Sequence, residues 1–257
     1  WRCQALMLLA AVVVGLLGQF ISFKLWIRPT HFSFVWVPGG FLLALLVLRP
    51  RREWPAWILG VLAGGVAILV WRQAPVFLAM CVYLANFAGM VLVALYLRRG
   101  GNRVFDTVPD FARYFMLAVV LVPAVTGLVS AGITHMAGFR LEFGLAELWL
   151  TLAPNYAMGY LLISTALLAF AGFRRTALSG RWERVAEAVL ITLGLLLLSV
   201  GLWALVPSSA AVLPLQLFAP VPLIMLAAMR FGSLGAALAL LLVAVPAAWM
   251  GVYGGGD

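Results

Sequence analysis

Charge is what this sequence has least of. Acidic residues number 8 in 257 and basic residues 17, so that charged residues make up 10% of the chain. Soluble domains carry about 25% charged and about 45–50% apolar residues. Here 65% of residues are hydrophobic and the mean hydropathy is +1.12, which excludes a water-facing globular surface. Cysteine is scarce as well. Cys3 and Cys81, one at the start and one inside an apolar run, exclude a disulfide framework and a thiolate metal site. The two histidines, His31 and His135, have no second ligand three or four residues on, so no metal or haem pair is encoded on a helix face. No cofactor is expected. Glu53, Asp106, Asp110, Glu183 and Glu187 lie beside arginines and read as solvated loop charge. They do not converge into a catalytic set. No apolar run has a charge near its centre, which counts against proton- or ion-coupled transport.

What is present is a series of apolar runs. Nine can be read: Gln4–Ile27, Phe32–Leu48, Trp54–Trp71, Pro75–Leu97, Phe111–Met136, Leu145–Phe173, Val185–Val206, Val212–Met229 and Leu234–Tyr253. A spanning helix needs about 20 apolar residues. The fold class is therefore all-α, a polytopic transmembrane bundle of about nine spans with short loops. The second and third runs are short and contain Pro and Gly, which suits a tilted hairpin. The net charge of +9 does not indicate nucleic acid, because the basic residues form short clusters between apolar runs. The partner is the lipid bilayer.

The basic residues also orient the chain. With a cytoplasmic N-terminus, the inner set is Arg2, Arg49, Arg51, Arg52, Arg98, Arg99, Arg103, Arg113, Arg174, Arg175, Arg181, Arg184 and Arg230. The outer set is Lys24, Arg28, Arg72 and Arg140. Thirteen against four decides the matter, since short loops rich in Lys and Arg resist translocation. Tryptophan agrees: Trp54 and Trp182 fall at the inner rim, and Trp26, Trp36, Trp71, Trp149, Trp203 and Trp249 at the outer one. An odd number of spans starting inside ends outside. The Gly254-Gly255-Gly256-Asp257 tail and the opening Trp1 then read as the ends of a trimmed piece, a single domain over residues 1–257, with a tenth helix expected beyond it.

Polar groups in or near the spans are the candidate binding residues. At the outer rim stand Trp36, Arg72, Arg140, Glu147, Trp149, Asn155 and Tyr156. Deeper lie Tyr83, Asn86, Thr126, Ser130, Ser164, Thr165, Thr192, Ser199 and Gln216. Ser and Thr can satisfy carbonyls of their own helix, but Asn86, Asn155 and Gln216 must face other helices, water or a ligand. The ligand-binding set is therefore Trp36, Arg72, Asn86, Arg140, Glu147, Trp149, Asn155, Tyr156 and Gln216, with alanine at Glu147 or Asn155 expected to remove a signal response. Gly60 and Gly64 form a G-x-x-x-G, a sign of close helix packing. On these residues alone a sensory module, a carrier or channel for a small solute and a lipid-modifying enzyme all stay open.

One pattern goes further. Trp36-Val37-Pro38-Gly39-Gly40, the apolar Leu42–Leu48, and Arg51-Arg52-Glu53-Trp54-Pro55 with Gly60 resemble the opening of the MASE1 family of bacterial integral membrane sensory domains. Pro222 and Ala228-Met229-Arg230-Phe231-Gly232 resemble a second family element. In this sequence Pro38, Gly39, Trp54, Pro55, Arg230, Phe231 and Gly232 are read as structural turn residues, with Gly232 permitting a reversal. The middle departs from the family, where a W-W-x-G-D pattern is common. Trp149-Leu150-Thr151-Leu152-Ala153 lacks the second Trp and the Asp, which bears on the signal taken. The resemblance implies an input module of the bacterial inner membrane. It implies a small-molecule or protein signal, a cytoplasmic diguanylate cyclase or histidine kinase as output, and a homodimer through the full-length protein. A topology reporter fused after Asp257 tests the nine-span reading. Activity characteristic of the extracytoplasmic side is expected, and cytoplasmic activity there would refute the count.

Overall fold

The computed structural model describes residues 2–27, 32–99, 107–139, 143–172, 182–205 and 219–253. The chain divides after Leu168 into two compact units. In the first, α1 is Arg2–Lys24, α2 Val37–Leu48, α3 Trp54–Trp71 and α4 Val76–Arg99. The fifth apolar run is one continuous rod: α5, Val108–Tyr114; a π-wound stretch, Phe115–Leu121; and α6, Val122–Met136. The sixth repeats the arrangement, with α7 (Leu145–Gly159), a π stretch (Tyr160–Ser164) and α8 (Thr165–Gly172). The second unit contains α9, Trp182–Leu205, and α10, Val221–Tyr253. Six helices among the described residues are long and apolar enough to cross a membrane. The protein is thus a multi-pass helical bundle whose solvent is lipid.

The boundaries expected from the sequence mostly hold, and Trp54–Trp71 is α3 itself. The first two runs differ. Helix α1 stops at Lys24, and Trp26–Ile27 pairs antiparallel with Phe32–Ser33. The residues from Phe32 to Trp36 are extended or bent, and α2 begins only where Pro38 enters its first turn. Proline suits that place because the first helical N–H groups have no partner within the helix. Ser33 reinforces the bend, its hydroxyl accepting from the Val35 N–H at 3.2 Å and donating to the Val35 carbonyl at 2.8 Å.

Helix α2 is the centre of the first unit. Leu42, Leu43, Ala44, Leu46 and Val47 are all fully buried or nearly so, which is the pattern of a helix covered on every side. Its 12 residues give about 18 Å, well short of the roughly 30 Å apolar core of a bilayer. Its ends must therefore be satisfied by other helices. At the C-terminal end the Arg98 guanidinium donates to the carbonyls of Val47 (3.2 Å), Leu46 and Arg49, placing a cation at the negative pole of the helix. The Trp54 indole N–H donates to the Arg49 carbonyl at 3.2 Å, and Arg98 lies over the Trp54 ring at 5.9 Å. Trp54 and Arg98 together thus lock the end of α2.

Helix α1 packs along α3 through Gly60 and Gly64. A Cβ at Gly64 would meet the Val12 carbonyl, and one at Gly60 would meet Ala11, so the two backbones touch. In the second unit Gly235 meets the Ala227 carbonyl. A continuous helix would hold residues eight apart about 12 Å away from each other. Helix α10 is therefore folded back at Gly232, whose φ is 64° and ψ −149°. Arg230 Nε pairs with Glu187 at 2.8 Å beside this reversal. No atom lies within 4 Å of a Cβ at Gly232, so only its backbone conformation demands glycine. Gly232→Ala is expected to destabilise the fold by about 1–3 kcal/mol, read as a lower thermal midpoint of the detergent-purified chain. An unchanged midpoint would refute this account of the reversal.

Candidate functional site

A cavity of about 320 Å³ opens in the first unit. It lies where the last turns of α1, the extended Ser33–Trp36 lead, the end of α3, the start of α4 and the second half of α7 meet. Each contributor is fixed by the fold. The hairpin of Trp26–Ile27 with Phe32–Ser33 turns the chain back, so that Trp36 is brought against α1. Trp36 itself is anchored at both backbone ends. Its N–H donates to the Asn155 carbonyl of α7 at 3.2 Å, and its carbonyl abuts Gly159, where any Cβ would collide. The next N–H, of Val37, donates to the Ser22 hydroxyl at 2.9 Å. Gly39 leaves room for the Trp36 ring, and Gly40 lets α2 approach the Gly159 carbonyl.

The wall is aromatic. The Trp36 ring centroid lies 5.0 Å from Tyr156, 5.4 Å edge-on from Tyr83 and 6.5 Å, stacked, from Phe87. These are the favoured offset and edge-to-face geometries. The wall is tied together by one buried amide. Gln19 Oε1 accepts from the Tyr83 hydroxyl at 2.6 Å and from the Trp36 indole N–H at 3.2 Å. Arg72 caps α3 and stands exposed, its guanidinium 5.3 Å over the Phe23 ring. No Asp or Glu is among the described residues lining the cavity. Among the described residues no group of three or more His, Cys, Asp or Glu could hold a metal ion.

Four of the nine residues nominated from the sequence, Trp36, Arg72, Asn155 and Tyr156, line this one cavity. Asn86 lies behind it. Its Nδ2 donates to the Val82 carbonyl (2.9 Å) and the Ser130 hydroxyl (3.1 Å), and the Tyr156 hydroxyl interacts with Ser130 and Asn86. Trp149 is used elsewhere, its indole N–H donating to the Ala124 carbonyl at 2.8 Å and so joining α7 to α6. Glu147 is exposed and accepts from the Gly144 N–H at 3.0 Å, closing the first turn of α7. Arg140 and Gln216 lie outside the described residues. The nominated set omitted Gln19, Ser22 and Tyr83. The available signal was the i,i+3 pair Gln19 and Ser22, the one amide and the one hydroxyl in the apolar stretch between Ala5 and Phe23.

The described residues thus form a multi-pass helical bundle with an aromatic-walled cavity in its first unit. The MASE1 family model matches residues 6–257, nearly the whole chain, and the chain belongs to that family. MASE1 is a membrane-associated family of sensory domains, so the chain is a membrane sensory input domain. No curated protein and no solved structure matches it.

Gln19→Leu removes the common acceptor of two buried donors. Leaving a buried polar group unpaired costs about 1–3 kcal/mol. The variant is expected to unfold at lower temperature, with part of the loss recovered by adding Tyr83→Phe. Equal stability of Gln19→Leu and the parent chain would refute the network.

Proposed function

We propose that the cavity beside Trp36 receives a small extracytoplasmic or membrane-borne ligand, and that the resulting helix shift regulates a cytoplasmic output of the diguanylate cyclase or histidine kinase type. The observation that carries the reading is the contact of the cavity with the N-terminal end of α2. Trp36 and Asn155 line the space and also form the backbone hydrogen bond that joins α2 to α7. A ligand that displaces either side chain acts on two helices at once. Such a ligand regulates only by the difference in its affinity for the two arrangements of the bundle.

The charges support an orientation with this cavity extracytoplasmic and the N-terminus cytoplasmic, in the bacterial inner membrane. Arg72 is at the cavity, whereas Arg98 reaches the Arg49 carbonyl at the far end of α2, beside Arg51 and Arg52. The basic cluster and the cavity thus occupy opposite ends of the unit. The whole is read as one input domain acting as a homodimer, because outputs of these classes work in pairs.

The test joins the chain to a diguanylate cyclase and follows cyclic dinucleotide production in cells. Asn155→Leu is expected to change the signal-dependent output at least fivefold. Glu147→Ala, at a helix cap outside the cavity, is expected to leave it within twofold. Equal responses from the two variants would overturn the assignment of this cavity. Net solute flux into vesicles containing the chain would overturn the sensor reading in favour of a carrier.

A further inference from the structure

The hydrogen-bonding groups around the cavity can be accounted for one by one, and nearly all are already in use. The Ser22 hydroxyl donates to the Gly18 carbonyl at 2.9 Å and accepts from the Val37 N–H. The Ser33 hydroxyl is closed on Val35 in the same double fashion. The Tyr83 O–H and the Trp36 indole N–H are both spent on Gln19 Oε1. The Tyr156 hydroxyl is engaged with Ser130 and Asn86. Asn155 Oδ1 is sealed from solvent and has no partner.

What remains for an occupant is one-sided. With its oxygen doubly occupied, Gln19 has its Nε2 amide to offer. With its oxygen sealed, Asn155 has its Nδ2 amide. Arg72 adds a guanidinium, whose five N–H donors let it serve an occupant alongside the contacts it keeps. Among the described lining residues these amide and guanidinium groups are donors, and one is cationic. Among the described residues no carboxylate lines the space to balance a positively charged occupant. Cation–π attraction from the aromatic wall is worth only about 0.5–2 kcal/mol, and Arg72 opposes it. The body of the cavity is apolar and flat-walled, formed by Trp36, Tyr83, Tyr156, Leu69 and Leu152. Its volume of about 320 Å³ falls at the lower edge of small-molecule sites.

We infer that the cavity takes a small planar aromatic acid, its ring against Trp36 and Tyr156 and its carboxylate directed to Arg72 and the Gln19 and Asn155 amides. This deepens the proposed function and rests on it. A carboxylate presents only acceptors, so it matches these N–H donors, and its bond to a guanidinium is of the stronger, charge-assisted kind. A planar ring fills the slot between offset aromatic faces better than an alicyclic one.

The test uses the whole chain in lipid nanodiscs, with binding measured by calorimetry and by the shift in thermal unfolding. The probes are indole-3-carboxylate, indole-3-carboxamide, cyclohexanecarboxylate and tryptamine. Indole-3-carboxylate is expected to bind at least tenfold more tightly than the amide or the alicyclic acid, and tryptamine to give no shift. Arg72→Gln, an exposed change at a helix end, is expected to lower the acid to the level of the amide. Arg72→Glu is expected to invert the order of acid and tryptamine. Failure of the acid to bind, equal binding of acid and amide, or preferred binding of tryptamine would each overturn the ligand class. If the amide or tryptamine binds and Asn155→Leu abolishes it, the class falls while the cavity remains a ligand site. If such binding survives Asn155→Leu, both readings fall.

Discussion

A helix too short to cross the membrane sits at the centre of the first unit, and its unsatisfied ends dictate much of what surrounds it. In lipid a backbone group without a partner costs several kcal/mol, so every one must be met from within the protein. At one end of α2 the donors go to Ser22 of α1 and the Asn155 carbonyl of α7. At the other the acceptors go to Arg98 of α4 and Trp54 of α3. Four neighbouring helices are thereby tied to one buried helix by hydrogen bonds that water cannot replace. Pro38 belongs to the same solution, since it removes a donor where none could be satisfied.

The candidate site is a by-product of that solution. Bringing Trp36 across to α7 requires glycine at 159, and seating its ring requires glycine at 39. The space left beside the ring, between α1, α3, α4 and α7, is the cavity. Cavity lining and helix anchoring consequently share the same residues, with Asn155 contributing a side chain to one and a carbonyl to the other. The sensory role of the family is physically reasonable on this scaffold, because an occupant cannot touch the wall without touching the anchor.

Much of this was legible in the sequence. Hydropathy places the helices, and α3 coincides with its apolar run because Pro55 near its start and the polar Arg72-Gln73 after its end punctuate both boundaries. The G-x-x-x-G at Gly60 marks a real backbone contact. Trp36, Arg72, Asn155 and Tyr156 were nominated for lying at the rim and prove to share one space. Trp149 and Glu147 satisfied the same criterion and do other work, since rim position says nothing about which way a helix faces. Gln19 was missed for the opposite reason. Its role depends on Trp36 and Tyr83, 17 and 64 residues away, a relation that exists only after folding.

Two of the rods are not uniform, and this affects their geometry. The Tyr114 hydroxyl donates to the Tyr160 carbonyl at 2.7 Å and meets Ser164 at 3.2 Å, bridging the points where both rods change winding. Ser164 donates to the same carbonyl at 2.7 Å. A π turn accommodates one residue more than an α turn, and a single residue corresponds to about 100° around a helix axis. The stripe that α7 presents to its neighbours is therefore out of phase with the stripe on α8, and a helical wheel drawn straight through Leu145–Gly172 would assign the far half to the wrong side. The azimuth of α8 is set by a phenol on another rod.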